Sequence, residues 1–180
     1  MDQRIERSRA ALRTAVVQLL LQQPYDVITV DDITRHAGVA RSTFYVHFED
    51  KDELLRAGLA GPLDLLSQLV ADPLPENVIV AALEQMLHVR EAGVGILQGS
   101  AREVIAKALA GHLETRLGAR GLHRPGRLRL PFPVLSHMLA DALLAGILEW
   151  LLAERPMPAS DLARVLMQRA RAIVDASRTA

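Results

Sequence analysis

A chain of 180 residues, half of them hydrophobic, is long enough to bury one core or to carry a small module on a larger one, and is too apolar to be disordered. The absence of cysteine excludes disulfides and thiol chemistry, and 21 Lys/Arg against 21 Asp/Glu leave no bulk positive charge to hold a polyanion. Three Phe, two Tyr and one Trp are few aromatics, so any internal cavity is walled mostly by Leu, Val, Ile, Ala and Met. No apolar run reaches membrane-spanning length without a charged or polar interruption, and the start MDQRIERSRAALR lacks the apolar centre of a signal peptide. The expected location is therefore the cytoplasm, with no membrane partner.

Helix 1 is expected from about Ser8 to Gln22, with Leu12, Val16, Leu19 and Leu20 as its buried stripe and Pro24 as its stop. Thr29 is placed to cap a second helix whose third position is Asp32, a shortened capping box. Ile33 and Ala37 face inward, and Gly38 supplies the left-handed residue that ends the helix. Val39 re-enters the core. A third helix from about Arg41 buries Phe44 and Phe48 and shows Arg41, Ser42, Thr43, Tyr45 and His47 outward, with no carboxylate among them. Asp50 caps helix 4, about 51–60, with Glu53 at its third position. Two short helices joined by a glycine turn, with a donor-rich outer face, form a helix-turn-helix suited to phosphates and base edges.

The pair Gly61-Pro62 is the best boundary, and a short helix over 62–71 leads to a break at Asp72-Pro73-Leu74-Pro75. Residues 76–90 read as an amphipathic helix with Ile79, Leu83, Met86 and Leu87 inward, followed by a turn holding Gly93 and Gly95. A helix at about 98–117 sets Ala101, Val104, Ile105, Ala108, His112 and Leu113 on one side. The next segment carries five arginines from Arg116 to Arg129 and no acid until Asp141; it is either a solvated loop or an anion or DNA-backbone contact. From about Val134 to Ala153 the chain is apolar on nearly every side, with only His137, Asp141 and Glu149 in a polar line. Such a helix needs two apolar neighbours, and the simplest second one is another copy of the chain. Pro156-Met157-Pro158 forces a turn, Ser160 is placed to cap the last helix, and Leu162, Val165, Leu166 and Ile173 stripe it. A homodimer would then use Leu143, Leu144, Ile147, Leu151, Leu162, Leu166 and Ile173 in a four-helix bundle.

The run T-V-x-D-I-x-x-x-A-G-V-x-x-x-T-F-Y-x-H-F-x-x-K-x-x-L, present as Thr29 to Leu54, resembles the DNA-binding domain of the TetR family of bacterial transcriptional repressors, over roughly residues 8–56. The resemblance implies an all-α fold of about nine helices: a three-helix DNA-binding domain, residues 1–60, and a helical regulatory and dimerisation domain, residues 61–180. It implies a homodimer paired through its last two long helices on a palindromic double-stranded DNA operator, released by a small effector. Carried over position by position, Arg41 and Ser42 reach base edges. Thr43, Tyr45, His47 and Lys51 hold phosphates, and Thr29 contributes at the start of helix 2. Arginine can bridge guanine O6 and N7, whereas hydroxyls and lysine fix register on the backbone. Two positions depart from the pattern: Asp31 stands where some members carry a base-reading cation, and Ala40 is a poor N-cap.

Residues 1–60 hold eight Lys/Arg against nine Asp/Glu, so affinity must rest on local geometry. The carboxylates Asp31, Asp32, Asp50, Asp52 and Glu53 crowd helix starts, where they offset the macrodipole. The implied effector is apolar or amphipathic, with walls drawn from Met86, Leu87, Leu97, Ile105, Met138 and Trp150 and a polar anchor at His112 or His137; a small pocket, or none, fits the short C-terminal half equally. His88 near Glu84 and Glu91, and His137 near Asp141, mimic metal spacing, but two ligands on one helix are a surface pair and no metal is expected. No nucleophile motif or phosphate loop is visible, so neither catalysis nor a cofactor is expected. The rival reading is a protein-binding module that reuses the fold.

Overall fold

The computed structural model describes residues 3–71 and 75–179, and among them the regular elements are ten α-helices and one 3-10 turn, with a single isolated bridge. In chain order these are α1 (Gln3–Leu20), the 3-10 turn Tyr25–Val27, α2 (Val30–Ala37), α3 (Arg41–His47), α4 (Lys51–Gly58) and α5 (Ala60–Ala71). They continue as α6 (Glu76–His88), α7 (Arg90–Gln98), α8 (Ala101–Ala119), α9 (Phe132–Leu152) and α10 (Ala159–Ser177). The chain divides into two units, one made of Met1–Gly61 with Glu91–Ile105, the other of Pro62–Arg90 with Ala106–Ala180.

In the first unit α1 is the spine on which α2, α3 and α4 pack. Leu12 and Val16 of α1, Ile33 of α2, Phe44 of α3 and Leu54 and Leu55 of α4 are fully buried. Each such side chain contributes about 1.5–3 kcal/mol by leaving water. The α1–α4 crossing is tight: a Cβ at Gly58 would meet Val16 Cγ1 at 3.1 Å, Val17 Cγ2 at 3.2 Å and the Arg13 carbonyl at 3.3 Å, so a larger residue there would press α1 and α4 apart by a few tenths of an ångström. Helix α1 begins at Gln3, a turn before the expected start, and ends at Leu20. Helix α4 stops at Gly58, and Gly61-Pro62 falls inside the first turn of α5, where proline lacks only an N–H that no carbonyl awaits. The expected turn at Gly93 and Gly95 is helical instead. Gly93 and Leu97, one turn apart, are buried, and that burial outweighs the roughly 1 kcal/mol each glycine costs a helix.

In the second unit α10 packs on α6 and α9. The break before α6 falls on residues 72–74, outside the described residues, and Pro75 is the N-cap of α6. The buried line of α8 is Ala101, Ile105, Leu109, Leu113 and Leu117, repeating every four residues; Val104, Ala108 and His112 lie half-buried beside it. Helix α9 is long and apolar enough to cross a membrane by length and composition, although Ser136, His137, Asp141 and Glu149 interrupt its apolar run. It packs as a core helix, with Leu135, Leu139, Leu143, Ile147 and Leu151 buried and His137, Asp141 and Glu149 outward. Ser160 does not cap α10: the cap position is Pro158, whose fixed φ sets the entry, and Asp161 offsets the dipole in the first turn. The arginine-rich segment is tied to the chain's end, as Arg129 N donates to Ser177 O at 2.9 Å and Thr179 N to Arg127 O at 3.1 Å.

Candidate nucleic-acid interface

Helix α2 starts on a complete reciprocal cap. The Asp32 N–H donates to Thr29 Oγ1 at 3.1 Å, and the Thr29 N–H and hydroxyl donate to Asp32 Oδ2 at 3.1 and 2.6 Å. The Thr29 hydroxyl bond, then the Thr29 N–H, hold the Asp32 carboxyl below its ordinary pKa, with Arg35 adding to them. Thr29, expected at DNA, thus spends its hydroxyl on the cap. Gly38 ends α2 at φ +66°, a left-handed conformation that a side chain would strain, and donates to Arg35 O. Val39 N then donates to Thr34 O at 3.0 Å, which completes the turn into α3.

Helix α3 opens at Ala40 without a side-chain cap, as its sequence foretold. Phe44 anchors it from inside, edge-on to Tyr45 with ring centroids at 5.2 Å and tilted to Phe48 at 6.0 Å. Phe48 is buried but extended, the residue at which the helix ends. The outward arc is Arg41, Ser42, Tyr45 and Val46, all exposed, with Thr43 and His47 half-buried at its edge. Val46 is 72% exposed, the most open large apolar side chain among the described residues, and is absent from the donors expected on this face. Its place one turn after Ser42 was the available signal: rotation of 100° per residue puts 41, 42, 45 and 46 on one side.

Two of the expected phosphate contacts are committed within the chain. Lys51 Nζ donates to Tyr25 O at 2.9 Å and Ile28 O at 3.2 Å and stands 4.2 Å from the Tyr25 ring centroid. Two of its three ammonium protons hold the turn before α2, so Lys51 is a staple of the fold and not a free cation. Asp52 completes the clamp, accepting from the Tyr25 hydroxyl at 2.5 Å; burial, then this bond, push the phenol above its ordinary pKa. His47 Nε2 lies within hydrogen-bond distance of Ser8 Oγ, at 2.7 Å, and the contact ties α3 to α1. Arg41 reaches Asp31 on α2 with one terminal nitrogen and the Tyr45 hydroxyl, at 3.5 Å, with the other. Those bonds, Asp31 first, hold its pKa above the ordinary guanidinium value.

The residues expected at an effector pocket fall in both units. Leu97 and Ile105 belong to the first unit; Met86, Leu87, His112, His137, Met138 and Trp150 belong to the second. Met138 is exposed, and His137 and His88 meet the carbonyls of Pro133 and Glu84 one turn back, each at 2.8 Å. Trp150 is buried with Nε1 donating to Met157 O at 2.8 Å, and it lines a groove of about 880 Å³ between α9 and α10. His112 is no interior histidine: it lies 3.7 Å from Asp64, whose carboxylate takes Arg116 at 2.7 Å and Gln68 at 3.0 Å. Arg116 also donates to buried Ser67 at 2.8 Å, a network the sequence reading missed because its members are fifty residues apart. Among the described residues no three His, Cys, Asp or Glu gather as metal ligands. Of the expected dimer contacts, Leu143, Leu144, Ile147, Leu151, Leu162 and Leu166 are buried within the protomer; Leu143, Leu162 and Leu166 also line the groove between α9 and α10, and Ile173 is half-buried on it. The exposed large apolar side chains of these helices are Val134, Met138 and Leu152 on α9 and Val165 on α10.

Residues 12–57 match the sequence profile described as bacterial regulatory proteins, tetR family. The chain is 44% identical over 57 residues to the uncharacterized HTH-type transcriptional regulator YxbF of Bacillus subtilis (strain 168), a stretch covering 31% of this chain and 15% of that protein. It spans between 15% and 39% of the length of the curated relatives it matches. In fold it is similar to a TetR transcriptional regulator from Streptococcus agalactiae 2603V, with TM-score 0.60, 24% identity, and 94% and 96% of the two chains covered. It is also similar to NalD, described as the secondary repressor of a multidrug efflux pump in Pseudomonas aeruginosa, with TM-score 0.54, 24% identity, and 92% and 95% covered.

Proposed function

From the match of residues 12–57 to the tetR-family profile, we propose that the chain is a homodimeric repressor that reads a palindromic operator and is released by a small molecule. The observation that carries the reading is the arc Arg41, Ser42, Tyr45 and Val46, held outward by the buried Phe44 and by the glycine turn at Gly38. The arc holds a guanidinium, two hydroxyls and an apolar methyl pair. These suit guanine N7 and O6, backbone oxygens, and the C5 methyl of thymine respectively. With an even charge balance and Lys51 engaged, these few groups have to supply the specificity.

Two copies related by a two-fold axis would set their α3 helices in successive major grooves, with half-sites roughly 34–36 Å apart. Support for the dimer is the groove between α9 and α10, whose lining is mostly small or apolar, Ala142, Gly146, Leu166 and Ile173 among it, with Glu149, Arg155 and Arg169 as its charged members. The effector, apolar or amphipathic, would bind the C-terminal unit. A preference of about 1–3 kcal/mol for the DNA-free geometry is enough to release the operator. The test is a mobility shift on the DNA flanking the chain's own gene, repeated with compounds that raise its melting temperature. A retarded band that such a compound abolishes supports the proposal. No retardation, together with a co-purifying protein, favours a protein-binding module on the same fold.

A further inference from the structure

We propose that Asp31 is a positioning residue for base readout: its carboxylate and the Tyr45 hydroxyl hold the Arg41 guanidinium in one orientation, so that Arg41 presents a set edge to one base pair instead of closing on a phosphate. The inference rests on the DNA-reading function above. Three side chains from two helices carry it. Asp31 stands in the first turn of α2, Arg41 is the first residue of α3, Tyr45 follows one turn later, and the guanidinium donates to both oxygens. It also lies 6.0 Å over the Tyr45 ring.

Both members of the ion pair are 57% exposed. An exposed pair contributes little to folding in water, so stability does not account for it. At DNA the balance differs. A lone carboxylate on α2 would be repelled by phosphates, whereas paired with Arg41 it forms a neutral unit that displaces few counterions. Arg41 then adds to affinity through base hydrogen bonds and little through charge. Of its five N–H donors two are directed at Asp31 and Tyr45, and three remain, enough for the two acceptors of a guanine edge. Asp31 therefore acts through Arg41 and reads no base itself.

The test titrates the full-length protein, by fluorescence anisotropy at several salt concentrations, against its operator and against duplexes with each half-site base pair replaced in turn. The proteins are the wild type, Asp31→Ala, Asp31→Asn, Arg41→Ala and the double variant Asp31→Ala with Arg41→Ala. Asp31→Ala is expected to lower the preference at the Arg41-dependent base pair by about tenfold and leave the others unchanged. It should steepen the dependence of log affinity on log salt by up to about 0.9 per half-site, as the freed guanidinium finds a phosphate. Asp31→Asn keeps an acceptor oxygen and should recover part of the preference, and the double variant should match Arg41→Ala alone. If Asp31→Ala shifts every duplex by one common factor, Asp31 is only a repulsive charge and the proposal fails. It fails too if the base pair affected differs from the one that Arg41→Ala affects. A wild type without preference among the duplexes refutes the DNA-reading function itself, an outcome seen before any variant is made.

Discussion

Lys51→Ala separates a staple of the fold from a phosphate contact. The ammonium makes charge-assisted bonds to Tyr25 O at 2.9 Å and Ile28 O at 3.2 Å and sits 4.2 Å from the Tyr25 ring centroid. A bond to a charged donor is worth about 1.5–3 kcal/mol. Here the side chain is half-buried and water can replace part of the loss, so the two together amount to about 2 kcal/mol. The cation over the ring adds roughly 0.5–1 kcal/mol. Removal should therefore cost about 2–3 kcal/mol in urea unfolding and lower the melting temperature by about 5–10 °C. The salt dependence of operator binding, measured below the melting transition, should stay as in the wild type. A variant of unchanged stability whose salt slope falls by about 0.9 per half-site would refute the reasoning and return Lys51 to the phosphate backbone.

Four further outcomes follow from the same geometry. Tyr25 is held neutral by burial and by Asp52, so its folded pKa lies above the unfolded value; stability is full below about pH 10 and falls as pH rises beyond it. Tyr25→Phe should remove that alkaline loss in unfolding measured across pH, and an unchanged profile would count against the clamp. Asp64 is held below its ordinary pKa by Arg116 first, so its contribution is present at neutral pH and is lost as pH falls from about 4 through the depressed value; Asp64→Asn should flatten that acid limb. Arg116 is 24% exposed, and Arg116→Met should destabilise by about 1 kcal/mol in urea unfolding, because buried Ser67 loses the donor to its oxygen and keeps only its own bond to Asp64 O. Ala142→Glu, on the exposed groove, should leave the fold intact by circular dichroism and halve the mass in light scattering, whereas Leu144→Glu, inside the protomer, should unfold it; a dimer that tolerates Ala142→Glu would exclude that groove as the interface.

The contrast between what could be read from the chain and what could not is one of range. The caps at Thr29 and Asp50, the glycine stop at Gly38 and the buried pair Phe44 and Phe48 are decided within four residues, and all are in place. The helix through Gly93 and Gly95 was read as a turn because local propensity disfavours it, and burial at Gly93 and Leu97 decides otherwise. The apolar run of α9 predicts two neighbours; its most apolar positions face the protomer's own core, leaving Val134, Met138 and Leu152 outside. Composition alone cannot say which side of such a helix meets which neighbour. The sequence places Arg41 at base edges and Lys51 at phosphates but does not show their partners within the chain, because Asp31 and Ile28 are 10 and 23 residues away and on other elements. Val46 carries no donor, and its part in the arc is legible only from helical spacing and from the methyl group that thymine offers.

The most direct test of the central claim is the affinity of Arg41→Ala, against that of the wild type, for the operator and for a duplex with the contacted guanine replaced. A recognition helix that reads bases through Arg41 predicts a loss of about 10- to 100-fold per half-site on the operator and almost none on the replaced duplex, where the wild type has already lost that contact. Equal losses on both duplexes would make Arg41 a phosphate clamp, and base readout through this residue would be contradicted.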